Sequence, residues 1–159
     1  MPLVWSEALS LEMPAMDRLH EDMIDQLALV ETASDEQLLE AWQAMIEHTA
    51  IHFAEEDQWM QATGFAPDNC HSSQHAIVLK IMREGAEKCA KGDLAIVRQM
   101  AYELTVWLPH HVSAMDAGLA LHLKSVGFDP ETGRIDNPEA LPTSTVTSCR
   151  VEPCEDHAA

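Results

Sequence analysis

A chain of 159 residues is long enough for one compact domain with a single sizeable core. Its 47% hydrophobic content is that of a globular protein, without an apolar run near the roughly 20 residues that span a bilayer, and MPLVWSEALSLEM lacks the basic and apolar regions of a secretory signal. The net charge of −18, from 27 acidic against 9 basic residues, disfavours nucleic acid and anionic membranes as partners, so a soluble, cytoplasmic protein is expected.

Met16, His20, Met23, Leu27 and Val30 recur at the spacing of one buried helix face, with His20 inside the stripe. TASD breaks the pattern, and Ser34 with Gln37 three residues on has the form of a capping box opening a second helix. There the stripe is Leu38, Trp42, Met45, Thr49, His52, Glu56, Trp59 and Thr63, ending at Gly64. An imidazole and a carboxylate on a buried stripe cost several kcal/mol without partners, and a metal ion supplies such partners. GFAPDN reads as a turn in which Gly64 closes one helix and Asp68 or Asn69 caps the next.

The third stripe is His71, His75, Val78, Met82, Gly85 and Cys89, ended by KGD. Its i,i+4 imidazoles lie one turn apart on one face, where a single ion can take both. A fourth segment, from about Asp93 to Ser125, places Val97, Ala101, Leu104, Leu108 and His111 on one face and stops at Gly127. Pro109 removes a backbone hydrogen bond to Thr105, which predicts a kink or short break just before His111. Five residues from His111 to Asp116 turn an ideal helix by about 140°, so spacing alone does not nominate Asp116.

Residues 129–159 contain four of the eight prolines and no aromatic side chain, and so can supply little core. The domain division is therefore 1–128 for a helical bundle and 129–159 for an extended or disordered acidic tail whose removal leaves the bundle intact. Cys70, Cys89, Cys149 and Cys154 form neither a disulfide framework nor a CxxC pair and are expected as thiols. Cys70 neighbours His71 but points about 100° away, which favours packing over ligation. Cys149, Cys154 and His157 fall short of a structural zinc pattern.

Six ligand-type residues thus fall on inner stripes of four helices: His20, His52, Glu56, His71, His75 and His111. Together with Asp116 they suit a two-metal site inside an all-α, up-down four-helix bundle followed by a non-globular tail. Imidazole and carboxylate donors suit iron, manganese or zinc. Five neutral donors with two anionic ones stabilise highly oxidised iron less than a carboxylate-rich site does, which favours binding of O2 without O–O cleavage.

The stretches HFAEEDQWM, HSSQH and WLPHHVSAMD make the chain, over residues 1 to about 128, resemble the hemerythrin family and within it the single-domain bacterial hemerythrins. The resemblance implies two iron ions, cycling between Fe2+ and Fe3+. His71, His75 and His111 would bind one ion and His20 and His52 the other, with Glu56, Asp116 and an oxo or hydroxo group bridging them. Two ferrous ions, two carboxylates and a hydroxide would leave a core of about +1. The implied function is reversible O2 binding for storage, delivery or scavenging, by a monomeric non-enzyme serving an oxygen-consuming protein partner. The alternatives are an oxygen, redox or nitric-oxide sensor acting through a partner, or a di-iron oxidase or peroxidase. In the resemblance Glu55 is a neighbour of the bridge and His110 is out of phase with His111. His48 is expected beside the site or at the surface, and His122 and His157 have no motif support. The nine methionines read as core filler. Met23, Ile24, Phe53, Trp107 and Leu108 are the candidates for a dry lining around the centre.

Overall fold

Pro14, suited to the first helical turn because it has no N–H to leave unpaired, opens α1 (Pro14–Thr32) in the computed structural model, which describes residues 3–148. It is followed by α2 (Leu38–Ala62), α3 (Cys70–Ala90) and α4 (Leu94–His111). A π-helical turn, Val112–Asp116, leads from α4 into α5 (Ala117–Ser125). The residues around both junctions keep right-handed helical dihedrals, so α4, the wide turn and α5 form one rod. Each helix packs on its sequence neighbour and α4 closes back on α1, giving the up-down four-helix bundle. Among the described residues no helix is long and apolar enough to cross a membrane.

Local chemistry sets most boundaries as expected. Asn69 Oδ1 accepts the Ser72 N–H at 2.9 Å to cap α3, and Asp93 Oδ1 accepts the Ile96 N–H at 3.3 Å to cap α4. Two boundary expectations need correction. Ser34 does not cap α2; it opens a turn closed by the Gln37 N–H on its carbonyl at 3.1 Å, and Gln37 takes the cap position with no side-chain bond. Pro109 does not break the chain before His111. The helix runs through it, and the irregularity falls after His111, as the wide turn.

Buried residues reproduce the apolar stripes: Met16, His20, Met23, Leu27 and Val30 on α1, and Val97, Ala101, Leu104, Leu108 and His111 on α4. The apolar core is nevertheless split in two. One cluster gathers Leu27, Trp42, Met45, Met82, Ala101 and Leu108 at the end of the bundle bearing the α1–α2 and α3–α4 loops. The other gathers Met16, Trp59, Met60, Leu119 and Leu123 at the opposite end. Between them lies a layer of wholly buried polar side chains.

The tail is non-globular, with no helix beyond a three-residue 3₁₀ turn among its described residues, yet it is laid against the bundle. Ile135, Leu141 and Val146 pack on the second core cluster. Val146 is bonded on both sides, from its N–H to the Gly64 carbonyl at 3.0 Å and from the Ala66 N–H to its carbonyl at 2.8 Å; the Cys70 N–H reaches the Thr147 carbonyl at 3.2 Å. Gly64 and Gly127 have positive φ, and each leaves room for the tail: a Cβ would stand 3.0 Å from Pro142 at Gly64 and 2.9 Å from Asp136 at Gly127. Cys149, Cys154 and His157 lie outside the described residues.

Candidate metal centre

All seven candidate residues meet in the polar layer. His20, His52, Glu56, His71, His75, His111 and Asp116 are each 2% exposed or less, and they fall into two sets. Glu56, His71, His75, His111 and Asp116 converge on one point, and His20, His52 and Glu56 on another. Both carboxylates face both sets. Glu56 Oε1 lies 3.1 Å from His52 Nε2 and 3.8 Å from His20 Nε2, while its Oε2 lies 3.3 Å from His75 Nε2 and 3.5 Å from His71 Nε2. Asp116 Oδ2 lies 2.9 Å from His20 Nε2, while its Oδ1 lies 2.9 Å from His71 Nε2 and 3.2 Å from His111 Nε2.

The wide turn explains Asp116. In a π-turn hydrogen bonds run from i+5 to i, as the Ala117 N–H does to the Val112 carbonyl. One extra residue fits within the turn, and Asp116 comes round to the side of His111.

Proton placement tests whether a cation fits. His75 Nδ1 is 3.0 Å from Asp57 Oδ1, and His111 Nδ1 is 3.2 Å from Gln74 Oε1. Both partners accept, so Nδ1 of each ring carries a proton and, in the neutral ring, the Nε2 lone pair points inward. Those inward nitrogens are 3.3 Å apart, and His71 Nε2 is 3.1 Å from that of His111. Facing lone pairs repel unless something positive lies between them. Glu56 Oε2 and Asp116 Oδ1, also buried, have no hydrogen-bond partner of acceptable geometry. A cation between these atoms resolves both deficits, so the donor set fits a metal.

In the metal-free chain, protons fill part of this deficit. Burial and the Glu56 charge push Asp116 up, but the close imidazoles of His111, His20 and His71 outweigh them and hold its carboxyl far below the usual range. Glu56 behaves alike: burial raises it, and the His52 charge with the close imidazoles of His52, His71 and His75 brings it well down. Burial lowers His20 and His75, yet both end above an ordinary imidazole because of Asp116 for the first and of Asp57 and Glu56 for the second. His111 ends below, since burial dominates there.

Aromatic rings cover one side. Phe53 stacks on His75 with centroids 3.9 Å apart and planes 6° apart, and Trp107 stacks on His111 at 4.3 Å and 24°. Met23, Ile24, Phe53 and Leu108 are buried, and Trp107 half-buried. The neighbours stay outside the cluster. Glu55 is half-buried and outside both ligand sets. His48 Nε2 reaches the Leu19 carbonyl at 3.3 Å, His122 Nε2 reaches that of Thr63 at 2.8 Å, and His110 is exposed. Cys70 exposes its side chain and Cys89 is buried in the core. Asp57 and Gln74 were missed by sequence reasoning: Asp57 ends an acidic run that looks like solvated surface, and only their placement across the gaps to α3 and α4 reveals them.

The fold and the cluster define a class, the four-helix bundles with a histidine–carboxylate metal centre at mid-height. A family profile described as the Hemerythrin HHE cation binding domain matches residues 13–121. The chain is also similar to the bacteriohemerythrin of Ralstonia nicotianae, with 40% identity over 130 residues, 81% of this chain and 95% of that protein. It shares 24% identity with the bacteriohemerythrin of Stenotrophomonas maltophilia, over 77% of this chain and 82% of that protein. The bacteriohemerythrin of Pseudomonas paraeruginosa is 22% identical, over 73% and 78%. No solved structure matches significantly. The chain belongs to the hemerythrin family.

Proposed function

We propose that the protein binds O2 reversibly at two iron ions held by His71, His75, His111, His20 and His52 and bridged by Glu56 and Asp116. The observation that carries this reading is the division of each carboxylate, one oxygen toward the three-histidine set and the other toward the two-histidine set. Two ions so held would supply the electrons that reversible O2 binding requires. The protein offers three imidazoles and two carboxylate oxygens on one side, and two imidazoles and two oxygens on the other. The poorer set is where a small ligand would enter.

The chain's own residues hold protons and exclude water. Asp57 and Gln74 keep the protons of His75 and His111 on the outer nitrogens, so both rings stay oriented toward the centre. The two apolar clusters close the layer from both ends, and Phe53 and Trp107 roof the three-histidine side. A dry site of this kind slows proton delivery to bound oxygen and so opposes its irreversible reduction. The reading is one of binding and not turnover, with five neutral donors for two anionic ones. The test is metal content with the optical spectrum of the reduced protein, before oxygen, after oxygen and after evacuation. Two irons per chain and an absorption that appears with oxygen and disappears under vacuum are expected; steady oxygen consumption with an organic reductant would replace the proposal with an oxidase.

A further inference from the structure

The two histidine sets are supported very differently. On the three-histidine side the outer nitrogen of His75 meets Asp57 Oδ1 at 3.0 Å and that of His111 meets Gln74 Oε1 at 3.2 Å. The same two rings carry Phe53 and Trp107 as stacked neighbours. On the two-histidine side, His20 Nδ1 and His52 Nδ1 are buried and have no hydrogen-bond partner among the described residues. These two rings meet only tilted or edge-on neighbours, His20 and His52 at 5.2 Å and 57°, and His48 against His52 at 6.1 Å.

A carboxylate on the outer nitrogen of a ligating imidazole fixes the tautomer, locks the ring and raises the basicity of the inner nitrogen. Asp57 is the one carboxylate that a ligand-set histidine meets through Nδ1 among the described hydrogen bonds. Its side chain is 33% exposed, so it can be altered without opening the core. We propose that Asp57 is a positioning residue that makes the three-histidine half of the centre the tightly held half and leaves the His20–His52 half the exchangeable one. This rests on the reading of the cluster as a two-metal centre. It assigns the asymmetry to a residue outside the ligand set, and it concerns retention of the metal and not oxygen binding.

The experiment loads the full chain with cobalt(II) alone, counts equivalents, and follows release of the ion into excess EDTA. Two equivalents leaving in a fast and a slow phase are expected, and His52→Ala removes the fast phase and so assigns the slow one. Asp57→Asn keeps the size and an accepting oxygen but removes the charge; it accelerates the slow phase about 10–100-fold and leaves the fast phase in place. Asp57→Glu restores slow release. The metal-free Asp57→Asn chain keeps the parent's helical circular dichroism and a single cooperative melt, which separates positioning from loss of fold. A slow phase unmoved by Asp57→Asn, or both phases accelerated alike, overturns the assignment while the two-metal centre stands. A single equivalent bound by the parent chain overturns the two-metal reading itself.

Discussion

His111 Nε2 and Asp116 Oδ1 are 3.2 Å apart although five residues of helix separate them. An α-helix would turn the two side chains about 140° apart; the π-turn over Val112–Asp116 removes that offset. Shortening and lengthening the turn should therefore have opposite consequences. Deleting the exposed Ala114 leaves a four-residue step that an ordinary α-helix keeps on one face, so the chain retains two metals. Inserting one alanine after Ser113 carries Asp116 off the face, and metal content falls to one per chain or less. Elemental analysis of both variants decides the matter; equal losses would show that the turn does not set the register.

Glu56 and Glu55 are adjacent, but only Glu56 is wholly buried and faces both histidine sets. Glu56→Ala should reduce bound metal from two per chain to one or none, and Glu55→Ala should leave two. Elemental analysis after identical loading separates them.

The pH profile of the metal-free chain follows from the opposed shifts. Glu56 and Asp116 are lowered, so their stabilisation is present above the unfolded carboxyl range, about 4, and is lost as pH falls through their folded values. His20 and His75 are raised, so theirs is complete below about 6.5 and is lost as pH rises through their folded values. His111 is lowered and works the other way, its contribution present above about 6.5 and lost on acidification. With two raised against one lowered, metal-free stability should peak between about pH 4.5 and 6.5. Bound metal takes over the role of those protons, so the gain in melting temperature on loading should grow from pH 6 to pH 8. Calorimetry across that range, with and without metal, checks the sign.

Truncation after Phe128 removes Ile135, Leu141 and Val146 from the second core cluster and the Thr147 carbonyl from the first residue of α3. Three partly buried apolar side chains contribute about 2 kcal/mol after the cost of ordering the strap is counted, or about 4–8 °C in melting temperature. A chain ending at Ser148 should melt with the full protein, and one ending at Phe128 that much lower. Coincident melting of all three would show that the strap contributes no stability.

The helices and most of the site were legible because burial imposes a period. A histidine in step with Met16 and Met23, or with Thr49 and Trp59, declares its face by position alone. The wide turn left no such mark, since VSAMD has no composition that distinguishes it from a regular helix, and Pro109 pointed to the wrong side of His111. Asp116 was reached through resemblance for that reason. Asp57 and Gln74 were illegible on physical grounds: a supporting hydrogen bond across two helices depends on how those helices pack, which no single stripe encodes. The tail's composition points to little core of its own, but composition does not say that a few apolar side chains will find a groove already made by others.

The polar layer that divides the apolar core also has a consequence for how the molecule opens. Hydrophobic burial couples residues within each end, whereas across the waist the helices meet mainly through the charged and imidazole groups of the centre and the rings stacked on them. A metal-free chain should therefore open as two foldons joined by four helical struts, with amide exchange at mid-helix reporting their separate openings. An ion held by groups from all four helices would merge these into one cooperative unit, and mid-helix amides should then exchange as slowly as those of the two ends.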